Sequence, residues 1–168
     1  MLAIKKRLLA LGDGTAAFQF EKLYEYLYST QMLTAANWVL TGAAPTAGNA
    51  VAMVVGGQLS TKASGTSTAA LNGPSIPNTG STWQTWLFTM DQAGTLYTFA
   101  GTPGAQAAIV PFIPDYATSG LLQVVIGGLV INNASAGAFV PGTTTLITAG
   151  LNPVGINTVG PFFPIQYM

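Results

Sequence analysis

The sequence predicts a mainly β fold: a β-sandwich of jelly-roll or Ig-like type, preceded by an N-terminal arm and one helix. Three observations carry that expectation. From Trp38 onward, short apolar runs are punctuated by Gly, Pro, Thr, Ala and Asn, the pattern of an all-β domain. Residues 83–100 alternate on either side of Asp91-Gln92-Ala93-Gly94, a turn sequence. Helical periodicity is convincing only upstream, in residues 15–36, where Gly and Pro are absent. These observations divide the chain into an arm with its helix (1–37) and a β-sandwich domain (38–168).

The arm opens with Lys5-Lys6-Arg7, the chain's one basic cluster. Short charge runs are usually solvated; the sharper reading is a tail touching nucleic acid or an acidic groove on a partner. Residues 1–11 begin like a signal peptide, but Gly12-Asp13-Gly14 interrupts the apolar stretch early. Thr15 can cap the helix that follows. Phe20, Leu23, Tyr24 and Leu27 share one face at i, i+3, i+4 and i+7, while Tyr26 and Tyr28 add rings elsewhere around it. Such a helix either lies over one end of the β core or contacts more than one surface.

In the β region, residues 38–40 read as a short strand and 51–59 as a longer one containing Gly56-Gly57. Residues 61–82 are rich in Ser, Thr, Gly, Asn and Pro and poor in large apolar side chains. They predict a long loop or extended arm that holds no core position and is ordered by lying across a neighbour. Residues 83–90 and 95–100 form the hairpin. Trp86, Phe88 and Met90 share one face, and Tyr97 and Phe99 share a face on the partner strand. Residues 107–110 form a short strand, and Pro111 and Pro114 then enforce an edge or corner. Residues 121–131 are almost continuously apolar, as in a central strand covered on both faces, and Gly127-Gly128 marks a bulge or bend within it. Residues 139–140, 144–148 and 156–159 supply closing strands. The tail Pro161-Phe162-Phe163-Pro164-Ile165 is apolar and proline-locked, so it docks on its own domain or on the next subunit.

Composition limits the chemistry. The 168 residues include no Cys and no His, which excludes disulfides, thiolate catalysis, a Ser–His–Asp triad and the commonest metal ligand. No P-loop, dinucleotide fingerprint or EF-hand loop is present, and no spacing calls for a cofactor or metal. Glu21 and Glu25, at i and i+4, suit an exposed helix face better than a catalytic dyad, and Asp91 and Asp115 stand in turn contexts. A Ser–Lys pair drawn from Ser60 or Ser64 with Lys62 has only chance spacing to recommend it. Trp83, Trp86, Tyr97 and Phe99 could stack on sugars or bases, but no basic residue accompanies them in the hairpin, so a core role fits better. The most apolar run is too short to span a bilayer, which takes about 20 residues.

Charge is the sharpest clue to role. Soluble proteins have about a quarter of their residues charged; here 6% are charged and 49% hydrophobic, with a mean hydropathy of +0.46. Net charge is zero, so steering of the whole chain toward nucleic acid is not expected. From Ala63 to Met168 the charges are Asp91 and Asp115 alone. Charged side chains keep a lone protein dispersed, and a surface this neutral is tolerable where neighbouring subunits cover it. The expectation is one tile of a large assembly rather than an enzyme. The partner-facing candidates are Lys5, Lys6, Arg7, Phe20, Tyr24, Tyr28, Phe162 and Phe163.

The C-terminal half adds a resemblance. Ile113-Pro114-Asp115-Tyr116-Ala117, the apolar run 122–131, and Asn132-Asn133-Ala134-Ser135-Ala136-Gly137-Ala138-Phe139-Val140-Pro141-Gly142-Thr143-Thr144-Thr145-Leu146 resemble a group of small tailed-bacteriophage virion proteins. In that group a hairpin with an Asp-x-x-Gly turn, matched by Asp91–Gly94, precedes an Ile-Pro corner, an apolar strand and a Phe-x-Pro-Gly-Thr-Thr-x-Leu segment. The likeness spans residues 83–159 and leaves residues 1–60 uncovered. Where members carry an acidic residue after the last segment, Ile147-Thr148 stand here. The resemblance implies a β-sandwich capsid decoration (cement) protein, a homotrimer on the head exterior. Its partner would be the major capsid protein, it would belong to the virion after assembly in the host cytoplasm, and it would have no catalytic residues. The alternative is a fibre, tail or adhesin module binding a host glycan through Trp83 or Trp86.

Overall fold

The computed structural model describes residues 31–55, 58–77, 82–105, 123–134 and 137–158, and the backbone of 160–161. The fold is mainly β, with no helix among the described residues. Ten strands follow in chain order: β1 (Gln31–Met32), β2 (Trp38–Val39), β3 (Thr46–Ala47), β4 (Val51–Val55), β5 (Gln58–Lys62), β6 (Thr82–Asp91), β7 (Leu96–Ala100), β8 (Gln123–Asn133), β9 (Leu151–Asn157) and β10 (Gly160–Pro161). They make one four-stranded sheet in the order β10-β1-β4-β5, a second in the order β7-β6-β8-β9, and a small β2-β3 ribbon, all antiparallel.

Period-2 alternation builds the core. Trp86, Phe88 and Met90 of β6 are buried, as are Leu129 and Ile131 of β8 and Val51, Met53 and Val55 of β4. Together with Met32 of β1 they form one hydrophobic cluster fed by both four-stranded sheets. The predicted hairpin is present as β6 and β7, paired from Trp86 opposite Ala100 to Met90 opposite Leu96. The apolar run is β8, central in its sheet between β6 and β9. Its predicted bulge is also there: Phe88 faces Gly127 and Thr89 faces Val125, which leaves Ile126 as the extra residue. A Cβ at Gly127 would collide with the Trp38 indole nitrogen and lie 2.6 Å from the Ile156 carbonyl oxygen, so a side chain cannot fit there. Trp38 uses that space: Nε1 donates to the Ile156 oxygen at 3.1 Å, and the ring meets Phe88 edge-on at 5.0 Å.

Several local expectations are corrected by long-range pairing. Residues 31–32, assigned to the end of the helix, form β1, paired to β4 on one side and β10 on the other. Residues 15–30 of that helix lie outside the described residues. Hydrogen bonding to two strands and burial of Met32 outweigh the local helical propensity that Gln31, Met32 and Leu33 carry. The single strand expected at 51–59 is two strands, β4 and β5, with Val55 opposite Gln58. The expected strand at 144–148 consists of turns, in which the Thr144 and Thr143 N–H groups donate to the Val140 oxygen and Thr148 N–H to the Thr145 oxygen. Local hydroxyl bonds compete with strand pairing there: Thr148 Oγ1 donates to the Thr145 carbonyl at 2.7 Å. The closing strand expected at 156–159 runs instead from Leu151 to Asn157.

For the segment 61–82, expected to be a long loop or extended arm, the expected lack of core positions is corrected, while residues 61–62 belong to β5 and Thr82 to β6. Residues 63–77 contain no named strand, yet they fold over their own domain rather than standing away as an arm. Leu71 and Ile76 are buried in the core. Thr68 N–H donates to the Pro45 oxygen, Trp86 Nε1 to the Asn72 oxygen at 2.8 Å, and Thr98 Oγ1 to the Ala69 oxygen at 3.0 Å. Ile76 and Phe139 exchange both backbone hydrogen bonds, and the buried Asn133 side chain ties the Ile76 and Gly137 carbonyls together. Two apolar anchors and a set of satisfied backbone groups suffice for a segment whose composition is otherwise polar. The strand expected at 107–110, the Pro111–Pro114 corner and the tail beyond Pro161 lie outside the described residues.

Candidate interaction surface

The alternation that buries Trp86, Phe88 and Met90 turns Trp83, Thr85 and Leu87 to the opposite, outer side of the β7-β6-β8-β9 sheet. Register defines the rows on that side. Phe99, Leu87, Gly128 and Ile156 lie across four strands in one row; Thr85, Val130 and Val154 form the next; Trp83, Asn132 and Asn152 form the third. Leu87, Phe99, Val130 and Trp83 are half-buried, and the β9 residues are open. Val154 is 56% exposed and Ile156 45%. No row contains a charged residue. Val154 escaped the sequence reading, which began the closing strand only at Ile156, because Pro153 and Gly155 disguise the strand. The signal was present as an Asn-x-Val-x-Ile alternation whose partner strand is only visible in the fold.

Charge is concentrated elsewhere. Lys62 and Asp91 are the charged residues among those described. Asp91, 1% exposed, closes the β6–β7 turn: Oδ1 accepts from Thr95 N–H at 2.8 Å and Oδ2 from the Tyr97 hydroxyl at 2.9 Å. Gly94 follows at φ +79°, where Gly is favoured, and Lys62 Nζ would lie 3.3 Å from a Cβ placed on it. Hydrogen bonding to Asp91, then desolvation and the carboxylate's charge, raises the Tyr97 phenol above its ordinary value of 10.0. The turn is also clasped to the other sheet, since Gln92 Nε2 donates to the Val55 oxygen and Ser60 Oγ to the Gln92 oxygen, each at 3.0 Å. With both carboxylate oxygens engaged, this cluster is arranged as a structural clamp.

A small cavity lined by Trp38, Val51, Met90 and Ile126, with Lys62 also at its wall, holds about 10 Å³, room for about one water molecule. Among the described residues no group of three or more Asp or Glu residues could hold a metal ion, and no helix is long and apolar enough to cross a membrane. The basic cluster Lys5, Lys6, Arg7 and the aromatic candidates Phe20, Tyr24, Tyr28, Phe162 and Phe163 lie outside the described residues. Of the two tryptophans considered for glycan stacking, Trp86 is 2% exposed with its ring against Phe139, so it is not available to a sugar. Trp83 is half-buried at the edge of the outer face. No known protein family, curated protein or solved structure matches the chain.

Proposed function

We propose that this chain is a non-enzymatic structural protein of a tailed-bacteriophage virion, a capsid decoration protein that binds the major capsid protein and stabilises the head shell. One observation carries most of the support: a neutral, partly open apolar sheet face on a domain whose described charges are Lys62 and Asp91. Uncovered, such a face favours association; covered by a shell or by sister subunits, it becomes a source of binding energy at roughly 25 cal/mol per Å² before ordering costs. Two antiparallel sheets feeding one core support a β-sandwich, of jelly-roll or Ig-like type, as the rigid body. The oligomer that the resemblance implies is a homotrimer, and the site of action is the virion, reached after assembly in the host cytoplasm. The N-terminal arm, with Phe20, Tyr24 and Tyr28, is the reach onto neighbours in this reading, and Lys5-Lys6-Arg7 is its one feature suited to nucleic acid.

Co-sedimentation with undecorated heads tests the reading. Saturable binding and a higher rupture temperature of the shells are expected. Absence of binding at any protein concentration would end it. The adhesin alternative has less support because Trp86 is buried; sugar binding on a glycan array, lost in Trp83→Ala, would revive it.

A further inference from the structure

We propose that Asn72-Gly73 is a self-modification site: in the folded protein Asn72 deamidates through a succinimide, and the carboxylate that results unlatches residues 63–77 from β7, an edge strand of its sheet. Whether or not the chain decorates a capsid does not bear on this chemistry. No other asparagine in the sequence precedes a glycine. Ring closure requires the backbone nitrogen of the following residue to reach the asparagine Cγ, and a side chain on that residue hinders the approach; Gly73 has none. Both residues are exposed, and among the described residues no acceptor takes the Gly73 N–H. The nucleophile is therefore open, as is the path for the water that completes the reaction.

The fold holds the pair in place. Gly73 stands at φ +104°, and a Cβ there would lie 2.6 Å from the Ala100 Cβ. A bulkier neighbour that would protect Asn72 is thus excluded. Asn72 in turn fastens its segment to the sheet. Its Nδ2 donates to the Thr98 oxygen of β7 at 3.2 Å, and its carbonyl oxygen accepts from the buried Trp86 Nε1 at 2.8 Å. The core anchors Leu71 and Ile76 lie on either side of it.

The reaction balances with water alone. The Gly73 nitrogen bonds to Cγ as the Cγ–Nδ2 bond breaks, and Nδ2 leaves as ammonia with the Gly73 proton. Water then opens the ring. Cleavage of the new bond gives aspartate; cleavage of the original peptide bond gives isoaspartate, whose main chain runs through Cβ and Cγ. Both products lack the Nδ2 donor, so the Thr98 carbonyl meets a carboxylate that only accepts. Isoaspartate also lengthens the main chain by one carbon and makes the oxygen that serves Trp86 part of a free carboxylate. From Ala63 to Met168, where Asp91 and Asp115 are the charges, either product adds a third.

Ageing full-length wild type in neutral and in mildly alkaline buffer tests the inference, read by peptide mapping with mass detection and by isoaspartate-specific methylation. Asn72 should convert several-fold faster than the exposed Asn49 and Asn157, which precede Ala50 and Thr158. Conversion should be faster at the higher pH, because the attacking nitrogen must lose its proton. Aged protein should focus at a more acidic position, and amides in residues 63–77 should exchange faster than in fresh protein. Asn72→Gln, whose longer side chain closes the ring poorly, should hold both properties constant over the same interval. Asn72→Asp should exchange like aged protein from the outset. The wild-type comparison needs neither variant: conversion at Asn72 no faster than at Asn49 or Asn157, or only after unfolding in urea, overturns the inference. Conversion that leaves exchange in residues 63–77 unchanged overturns the unlatching.

Discussion

On the inner side of the β7-β6-β8-β9 sheet, Phe88 and Met90 of β6 and Leu129 and Ile131 of β8 are fully buried. One residue along each strand, Leu87 and Val130 point the other way, joined on β9 by Val154 and Ile156, half-buried or exposed. The two faces are made of similar side chains and differ chiefly in what lies against them. The inner face meets β4, β1 and the 63–77 segment, all from the same chain. A sheet that is apolar on both sides is normally covered on both. The comparison teaches that the described residues fill one side of this sheet, while on the other Val154 and Ile156 stay exposed.

The largest expected effect is on the inner face. Phe88→Ala should cost about 3–5 kcal/mol in a urea or thermal unfolding experiment, because the cavity is bounded by Trp38 and cannot collapse freely. A loss under about 1 kcal/mol would mean that the core is not packed as described. Asp91→Ala comes next: it removes the acceptors of Thr95 N–H and the Tyr97 hydroxyl, at about 2–3 kcal/mol. Its oligomeric state in sedimentation should not change, which separates the clamp from the interaction surface. Val154→Thr on the outer face should move monomer stability by no more than about 0.5 kcal/mol, while weakening any self-association. A large loss of stability there would erase the distinction between the faces.

The smallest effect concerns pH. The Tyr97 phenol is raised, so its neutral form is favoured in the folded state. Its contribution is therefore complete below the unfolded value near 10 and is lost as pH rises through the folded value. An alkaline titration followed by tyrosine absorbance and unfolding should show wild type losing stability above about pH 10. Tyr97→Phe should lack that component, and identical alkaline profiles for the two proteins would remove the clamp's role.

How legible the molecule was depended on how local each feature is. The β6–β7 hairpin was readable because Asp91 and Gly94 specify their turn chemically and Trp86, Phe88 and Met90 alternate without interruption. Strand β8 was readable from its apolar run, and the Gly127-Gly128 bulge from the cost of glycine in a strand interior. The pairing of Gln31–Met32 with β4 and β10 was not readable, because its partners lie far along the chain. Neither was the anchoring of residues 63–77, where Leu71 and Ile76 become core only through contacts with distant strands. The outer surface was hidden for the same reason: Val154 stands between Pro153 and Gly155, Ile156 follows, and their face exists only once β9 pairs with β8.

By itself, the order of residues determined the β character, the position of one turn, the periodic faces of β6 and β8, and the scarcity of charge. These follow from steric limits on each residue and from side-chain chemistry acting over a few neighbours. Tertiary structure decided which apolar face is covered, which threonine-rich stretch turns instead of pairing, and which side chains remain in water. Those outcomes depend on burial and hydrogen bonding between segments remote in the chain, whose free energies exceed the local preferences they override.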